Sequence, residues 1–126
     1  MGLITTMLTL SNPRRPGVTP VQAEALADTG SVYLILTEEV REQLALEIEE
    51  YRTITLADGT QRDVPYAGPV QVRFKNRSAF VGAIIMGDQV LLGAIPMEDM
   101  DLVLLPEQRS VDVNPASPHI ASGFAK

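Results

Sequence analysis

The 126-residue chain predicts an all-β domain with one or two short helices, and three observations predict it. Short apolar segments recur along the chain, broken by Gly, Pro, Asn and Asp. Ala57-Asp58-Gly59, set between two Thr- and Ile-rich arms, carries a hairpin signal. Val70, Val72 and Phe74 alternate with polar residues in the period-two pattern of a half-buried strand. A chain of this length buries roughly two-thirds of its unfolded surface, enough for one core without staples. Hydrophobic residues make up 45% and aromatics only 5%, with no Trp, so that core is built from Leu, Ile, Val, Ala and Met.

Taken in order, Leu3–Leu10 predicts a strand, ended by the turn residues Ser11-Asn12-Pro13-Arg14-Arg15-Pro16-Gly17. Val21–Ala27 is a second strand, running into the polar loop Asp28-Thr29-Gly30-Ser31. After the apolar run Val32–Leu36, Thr37 suits a helix N-cap, and Glu38 and Glu39 suit the positive end of the helix dipole. Val40, Leu44 and Ile48 share one helical face, so the helix is expected to end between Leu46 and Glu50. Thr53–Leu56 and Thr60–Val64 are the arms of a hairpin flanking Ala57-Asp58-Gly59, where Asp58-Gly59 is the signal of a two-residue turn. Val70–Phe74 and Ala79–Met86 follow as strands about the polar turn Lys75-Asn76-Arg77. Gly87-Asp88 then precedes the apolar run Val90-Leu91-Leu92, which stops at Gly93, and Pro96 suits the first turn of a short helix through Met100. Leu102–Leu105 and Ser110–Val113 predict a hairpin about Pro106–Arg109. The domain is read as residues 1–113, and residues 114–126, with two prolines and small side chains, as an extended or disordered tail.

Composition excludes several classes of function. A net charge of −6 and a pI near 4.6 oppose binding to a phosphate backbone, so no nucleic-acid partner is expected. The absence of Cys rules out disulfides, thiolate metal sites and cysteine nucleophiles. Met1–Leu10 lacks the positive start of a signal peptide and no apolar run has membrane-spanning length, so a cytoplasmic protein with no membrane contact is expected. His119, the single histidine, lies in the tail without metal-ligating neighbours. Glu38, Glu39, Glu42, Glu47, Glu49 and Glu50 read as a solvated face. No metal or organic cofactor is expected. Ser31 lacks the Gly-x-Ser-x-Gly elbow of a serine nucleophile.

The feature with chemical content is Ala27-Asp28-Thr29-Gly30-Ser31, an acid on a small-residue loop. Val90-Leu91-Leu92-Gly93 and a short helix follow late in the chain, with the Asp58-Gly59 hairpin between the two motifs. In this order and spacing, residues 3 to 113 resemble the retropepsin-like (clan AA) aspartic peptidases, and among them the bacterial proteins more than the viral ones. The resemblance implies an acid-protease fold working as a homodimer, with Asp28 catalytic. It implies that Thr29 bonds across the two-fold, that Gly30 lets the backbone approach the acids, and that Ser31 donates to the Asp28 carboxylate. Ala57, Asp58, Gly59 and Thr60 would form the tip of a flap, and Leu92 and Gly93 would support the active-site loop. Ala94 departs from the pattern, because many viral members carry an Arg there that braces that loop. A different brace is expected here.

The chemistry can be argued separately. Cleaving a peptide with carboxylates needs one ionised group to take a proton from water and one protonated group to polarise the carbonyl. Two carboxylates ~4 Å apart repel by about 4 kcal/mol at an effective dielectric near 20, so a close pair shares one proton. The chain has a single Asp-Thr-Gly, and a two-fold dimer supplies the second acid as Asp28 of an identical copy. The expected partners are thus a second copy and a peptide or protein substrate. Candidate subsite residues are Val32, Leu34, Ile54, Leu56 and Ile84. The alternative is a peptide-binding or assembly domain of the same fold that cuts nothing.

Overall fold

The computed structural model describes residues 3–125. Nine strands and two helices alternate as β1 (Thr5–Ser11), β2 (Val21–Ala27), β3 (Leu34–Leu36), α1 (Glu38–Leu44), β4 (Ile48–Thr55), β5 (Gln61–Phe74), β6 (Arg77–Ile85), β7 (Val90–Leu92), α2 (Ala94–Asp99), β8 (Leu102–Leu105) and β9 (Ser110–Val113). Seven strands form one sheet in the order β1-β2-β7-β3-β6-β5-β4, and β5 also pairs with β1. That extra pairing, Thr9 to Arg73 through Ser11 to Gln71, closes the sheet on itself and leaves β4 as an outer strand. β8 and β9 form a separate hairpin joined through a 3-10 turn at Pro106–Gln108.

Alternation along the strands fills the interior. Leu8 and Leu10 of β1 and Val70, Val72 and Phe74 of β5 point inward, where they meet Leu34, Leu36, Leu92 and Met100. Burying an aliphatic side chain of this size contributes about 1.5–3 kcal/mol, and without Trp the core depends on many such residues. Among the described residues no helix is long and apolar enough to cross a membrane.

Three local readings differ from what the sequence predicts. α1 ends at Leu44, a turn earlier than expected, and Ile48 begins β4 with its side chain exposed. The cause is tertiary: Asn12, buried in the turn after β1, donates its side-chain amide to the carbonyls of Leu44 and Ala45, at 2.9 and 3.2 Å. Ala45 then adopts a left-handed conformation with φ 54° and closes the helix. Thr37 caps the other end as predicted, accepting from the Val40 amide at 3.2 Å. The segments 61–64 and 70–74 belong to one 14-residue strand, β5, whose register shifts between Ala67 and Val70 across Gly68-Pro69. That irregularity lets one strand serve both the outer hairpin and the core.

The third difference is Arg77, read as part of a polar turn. Only Lys75 and Asn76 form the turn, while Arg77 pairs with Phe74 and is 3% exposed. Its guanidinium donates to the Ser117 carbonyl and lies 3.9 Å from the Asp101 carboxylate. Asp101 in turn accepts from the Ser117 hydroxyl, the Asn114 side chain and the Ser122 amide. The segment after Val113 thus has no regular secondary structure, yet one carboxylate fastens it to the body as far as Ser122.

Two predictions follow from these contacts. Asn12→Ala removes both bonds to the end of α1 and leaves two carbonyls without their donor, and should lower stability by about 2 kcal/mol in denaturant unfolding. Hydrogen bonds from Ser117, Asn114 and Ser122 hold the Asp101 carboxyl below its ordinary value of 3.8. Because the folded value is the lower one, the tail attachment is complete above that ordinary value and is lost as pH falls through the depressed one. The Ser122 amide chemical shift should titrate with a midpoint below 3.8, and Asp101→Asn should abolish that titration.

Candidate active site

The site is built where β2 meets β7. β7 runs parallel to β2, with Ala25, Leu26 and Ala27 opposite Val90, Leu91 and Leu92, and antiparallel to β3 through Ile35 and Leu91. The chain leaving β2 must therefore loop around the end of β7 before it can return as β3. Asp28 begins that loop. Its amide donates to the Leu92 carbonyl at 3.0 Å, and its own carbonyl accepts from the Ser31 amide at 3.0 Å. The half-buried Asp28 carboxylate accepts from the Gly30 amide at 2.9 Å through Oδ1, while the Ser31 hydroxyl stands 3.4 Å from Oδ2. Main chain thus orients one oxygen, and the other is only loosely engaged. Thr29 is exposed at the crest of the loop.

The brace that Ala94 cannot supply as a side chain comes from the backbone. At the start of α2, the Ala94 amide donates to the Ser31 carbonyl at 2.8 Å and the Ile95 amide to the Val32 carbonyl at 2.9 Å. Gly93 permits the approach: a Cβ there would stand 2.2 Å from the Tyr33 carbonyl oxygen and 2.7 Å from that of Ser31. The buried Leu92 side chain packs in the core beneath.

Across from this loop stands the β4–β5 hairpin. Its turn is a three-residue loop rather than the two-residue turn predicted: Leu56 and Thr60 still bond at 2.8 Å, and the Gly59 amide donates to the Leu56 carbonyl at 2.9 Å. Gly59 has φ 87°, which fits a type I turn followed by a left-handed residue and makes the residue after Asp58 a glycine. Asp58 accepts from the Thr60 hydroxyl at 2.6 Å and amide at 2.9 Å, and these bonds hold its carboxyl below the usual range. Ala57, Asp58, Gly59 and Thr60 are all exposed. Between hairpin and loop lies a cleft of about 300 Å³, lined by Ser31, Val32 and Ile35 on one side, Ile54 and Thr55 on the other, and Ile84. Of the residues named as subsite candidates, Val32, Ile54 and Ile84 line it. Leu34 lies wholly in the core and Leu56 sits at the hairpin turn.

The fold of the chain is similar to that of EIAV protease complexed with the inhibitor HBY-793, with a TM-score of 0.65 over 82% of this chain and 93% of that one, at 20% identity. The fold is retropepsin-like. No protein-family model matches the sequence, and no curated protein does.

Within this retropepsin-like frame, one cluster had no signal in the sequence. The Arg52 guanidinium of β4 stacks 3.7 Å from the ring centroid of Tyr66 and 5.6 Å from that of Tyr33, whose hydroxyl it meets at 3.3 Å. The two rings meet edge to face at 6.1 Å. The stem of the hairpin is thereby tied to Tyr33, the residue before β3, by the hydrogen bond to its hydroxyl and by a cation–π contact of a kind worth about 0.5–1 kcal/mol at an exposed site. Residues 33, 52 and 66 are too far apart in sequence to announce such a contact. Among the described residues no three His, Asp or Glu side chains are grouped closely enough to hold a metal ion.

The backbone brace makes Gly93 a sensitive position. Gly93→Ala sets a methyl group against two main-chain carbonyls that have no side-chain freedom to yield, and should cost about 3 kcal/mol in thermal or denaturant unfolding.

Proposed function

We propose that this chain is an aspartic endopeptidase whose catalytic pair is Asp28 and the Asp28 of a second copy. The observation that carries the reading is the placement of the single Asp-Thr-Gly. It stands on a main-chain-braced loop whose Gly30 and Ser31 line the cleft facing the hairpin, while Asp28 and Thr29 border the neighbouring hollow, in a retropepsin-like fold. One carboxylate cannot be proton acceptor and proton donor at the same moment, so the reaction needs the two-fold copy. Support for such a copy comes from the surface beside Asp28, where Leu3, Ile4, Leu26, Ala27 and Leu104 line a hollow of about 450 Å³ and Leu3 is 75% exposed. Covering that apolar surface with an identical one would bring the two loops face to face.

In the dimer one Asp28 is ionised and takes a proton from water. The other is protonated and donates to the scissile carbonyl as the water oxygen attacks. The proton taken from water then passes to the leaving amine as the C–N bond breaks, and a hydroxyl proton of the diol returns to the second Asp28, restoring the singly protonated pair without an acyl-enzyme, metal or cofactor. Thr29 bonds across the two-fold, Gly30 supplies the amide that orients Oδ1, and Ser31 supports Oδ2. Leu92 and Gly93 carry the loop from below. The tip Ala57–Thr60 closes over an extended peptide and excludes water. Val32 and Ile54, above the buried Ile84, favour an apolar side chain next to the cut bond. The peptidase unit is residues 1–113, with residues 114–126 as a C-terminal extension, and we read it as nearer the bacterial than the viral members of the group.

Asp28→Asn should reduce cleavage of a diverse peptide library, read by mass spectrometry between pH 3 and 8, by about a thousandfold or more while the protein stays folded and dimeric. If each active centre needs both copies, mixing equal amounts of wild type and variant under subunit exchange should leave about one quarter of the wild-type activity, against half for independent subunits. Cleavage retained by Asp28→Asn, or a strictly monomeric active species, would overturn the proposal.

A further inference from the structure

β2 is paired unevenly along its two edges. β1 accompanies it from Val21 to Leu26, whereas β7 joins only at Ala25, Leu26 and Ala27. From Val21 to Glu24 the second edge therefore has no strand beside it among the described residues. Alternation shows which groups this leaves open. Ala27 donates its amide to Ile4 on the β1 side, and Asp28 donates to Leu92 on the β7 side. Successive amides in a strand point to opposite sides, so those of Gln22 and Glu24 face away from β1.

The open edge is part of a groove of about 830 Å³, walled by α1 and by the turn Gly87–Gln89. Buried Ala23 and Val90, with half-buried Val21 and Val40, give it an apolar base. Glu24, Glu38, Glu39 and Asp88 form its rim, and no Lys or Arg lines it. Arg41, the nearest cation on α1, is turned to Glu38 and the Leu46 carbonyl. Exposed strand edges invite pairing and are commonly guarded by a Lys or Pro on the edge; this one is flanked by negative charge instead.

We propose that this groove binds an extended cationic peptide, which adds a strand to the free edge of β2 between Val21 and Glu24. Main-chain hydrogen bonds to an exposed edge supply affinity, and alternate side chains supply selectivity. Here apolar side chains meet Ala23 and Val40 while Lys or Arg side chains meet the acidic rim. Gln22 precedes Asp28 by six positions, roughly 20 Å along an extended strand, so the site is separate from the cleft and does not depend on catalysis.

The test uses full-length Asp28→Asn protein, which removes cleavage from the measurement, and fluorescein-labelled Lys-Val-Lys-Val-Lys-Val followed by fluorescence anisotropy. This peptide should bind about tenfold or more tightly than its Glu-Val counterpart, and the added substitutions Glu24→Lys and Asp88→Lys together should weaken it about tenfold. N-methylation of one alternate set of peptide amides should abolish binding and methylation of the other set should not. Hydrogen exchange at the Gln22 and Glu24 amides should slow on binding. No binding at millimolar peptide, affinity unchanged by charge reversal, equal tolerance of both methylation patterns, or protection confined to residues around the cleft would each overturn the proposal.

Discussion

Everything at the candidate site depends on a strand inserted between two others. Because β7 lies between β2 and β3, the chain that leaves β2 has to pass around its end, and the passage is fixed by main-chain bonds at both of its sides. Asp28 is tied to Leu92, and Ser31 and Val32 are tied to Ala94 and Ile95. Each such bond contributes only about 1 kcal/mol net, so their importance is geometric. The loop cannot shift without unpairing the central strand or the first turn of α2, and the Asp28 carboxylate inherits that rigidity.

The same arrangement explains how the chain manages without an Arg at position 94. A long cationic side chain can brace a loop from a distance, whereas backbone amides must come within hydrogen-bond range. Gly93 makes that range possible, since any side chain there would collide with the carbonyls of Ser31 and Tyr33. On the opposite side of the cleft, Arg52 does bracing work of another kind, clasping Tyr66 and reaching Tyr33 so that the hairpin stem and the loop share one cluster. The cleft thus has a rigid floor and a hairpin wall attached at its base, with an exposed tip beyond it.

The extent to which the sequence was legible varies with the range of the interactions. Apolar and Thr-rich segments bounded by turn residues located β1, β2, β6 and the β8–β9 hairpin, period-two alternation located the inner half of β5, and the Thr37 cap located the start of α1, because each rests on neighbours in the chain. The end of α1 was misjudged because its terminator, Asn12, lies on another element. The three-residue turn and the continuity of β5 were missed for a related reason: Asp-Gly is compatible with more than one loop length, and a Gly-Pro pair can mark either a break or a bulge. Arg77 and Arg52 were invisible as anything but surface charge. Their surroundings, a tail segment bound to Asp101 in one case and two separated tyrosines in the other, come together only in the folded chain.

By itself, the sequence determined the aliphatic core, the order of strands and turns, and the presence of a single acidic loop between an apolar strand and a small-residue turn. These follow from local periodicity, backbone preference and side-chain type, which act over a few residues. Only the tertiary structure decided that β7 threads between β2 and β3, that backbone amides carry the loop bearing Asp28, and that β2 keeps an open edge at its other end. Those outcomes depend on which distant segments meet, and hydrogen-bond partners chosen across the fold leave no trace in the residues that make them.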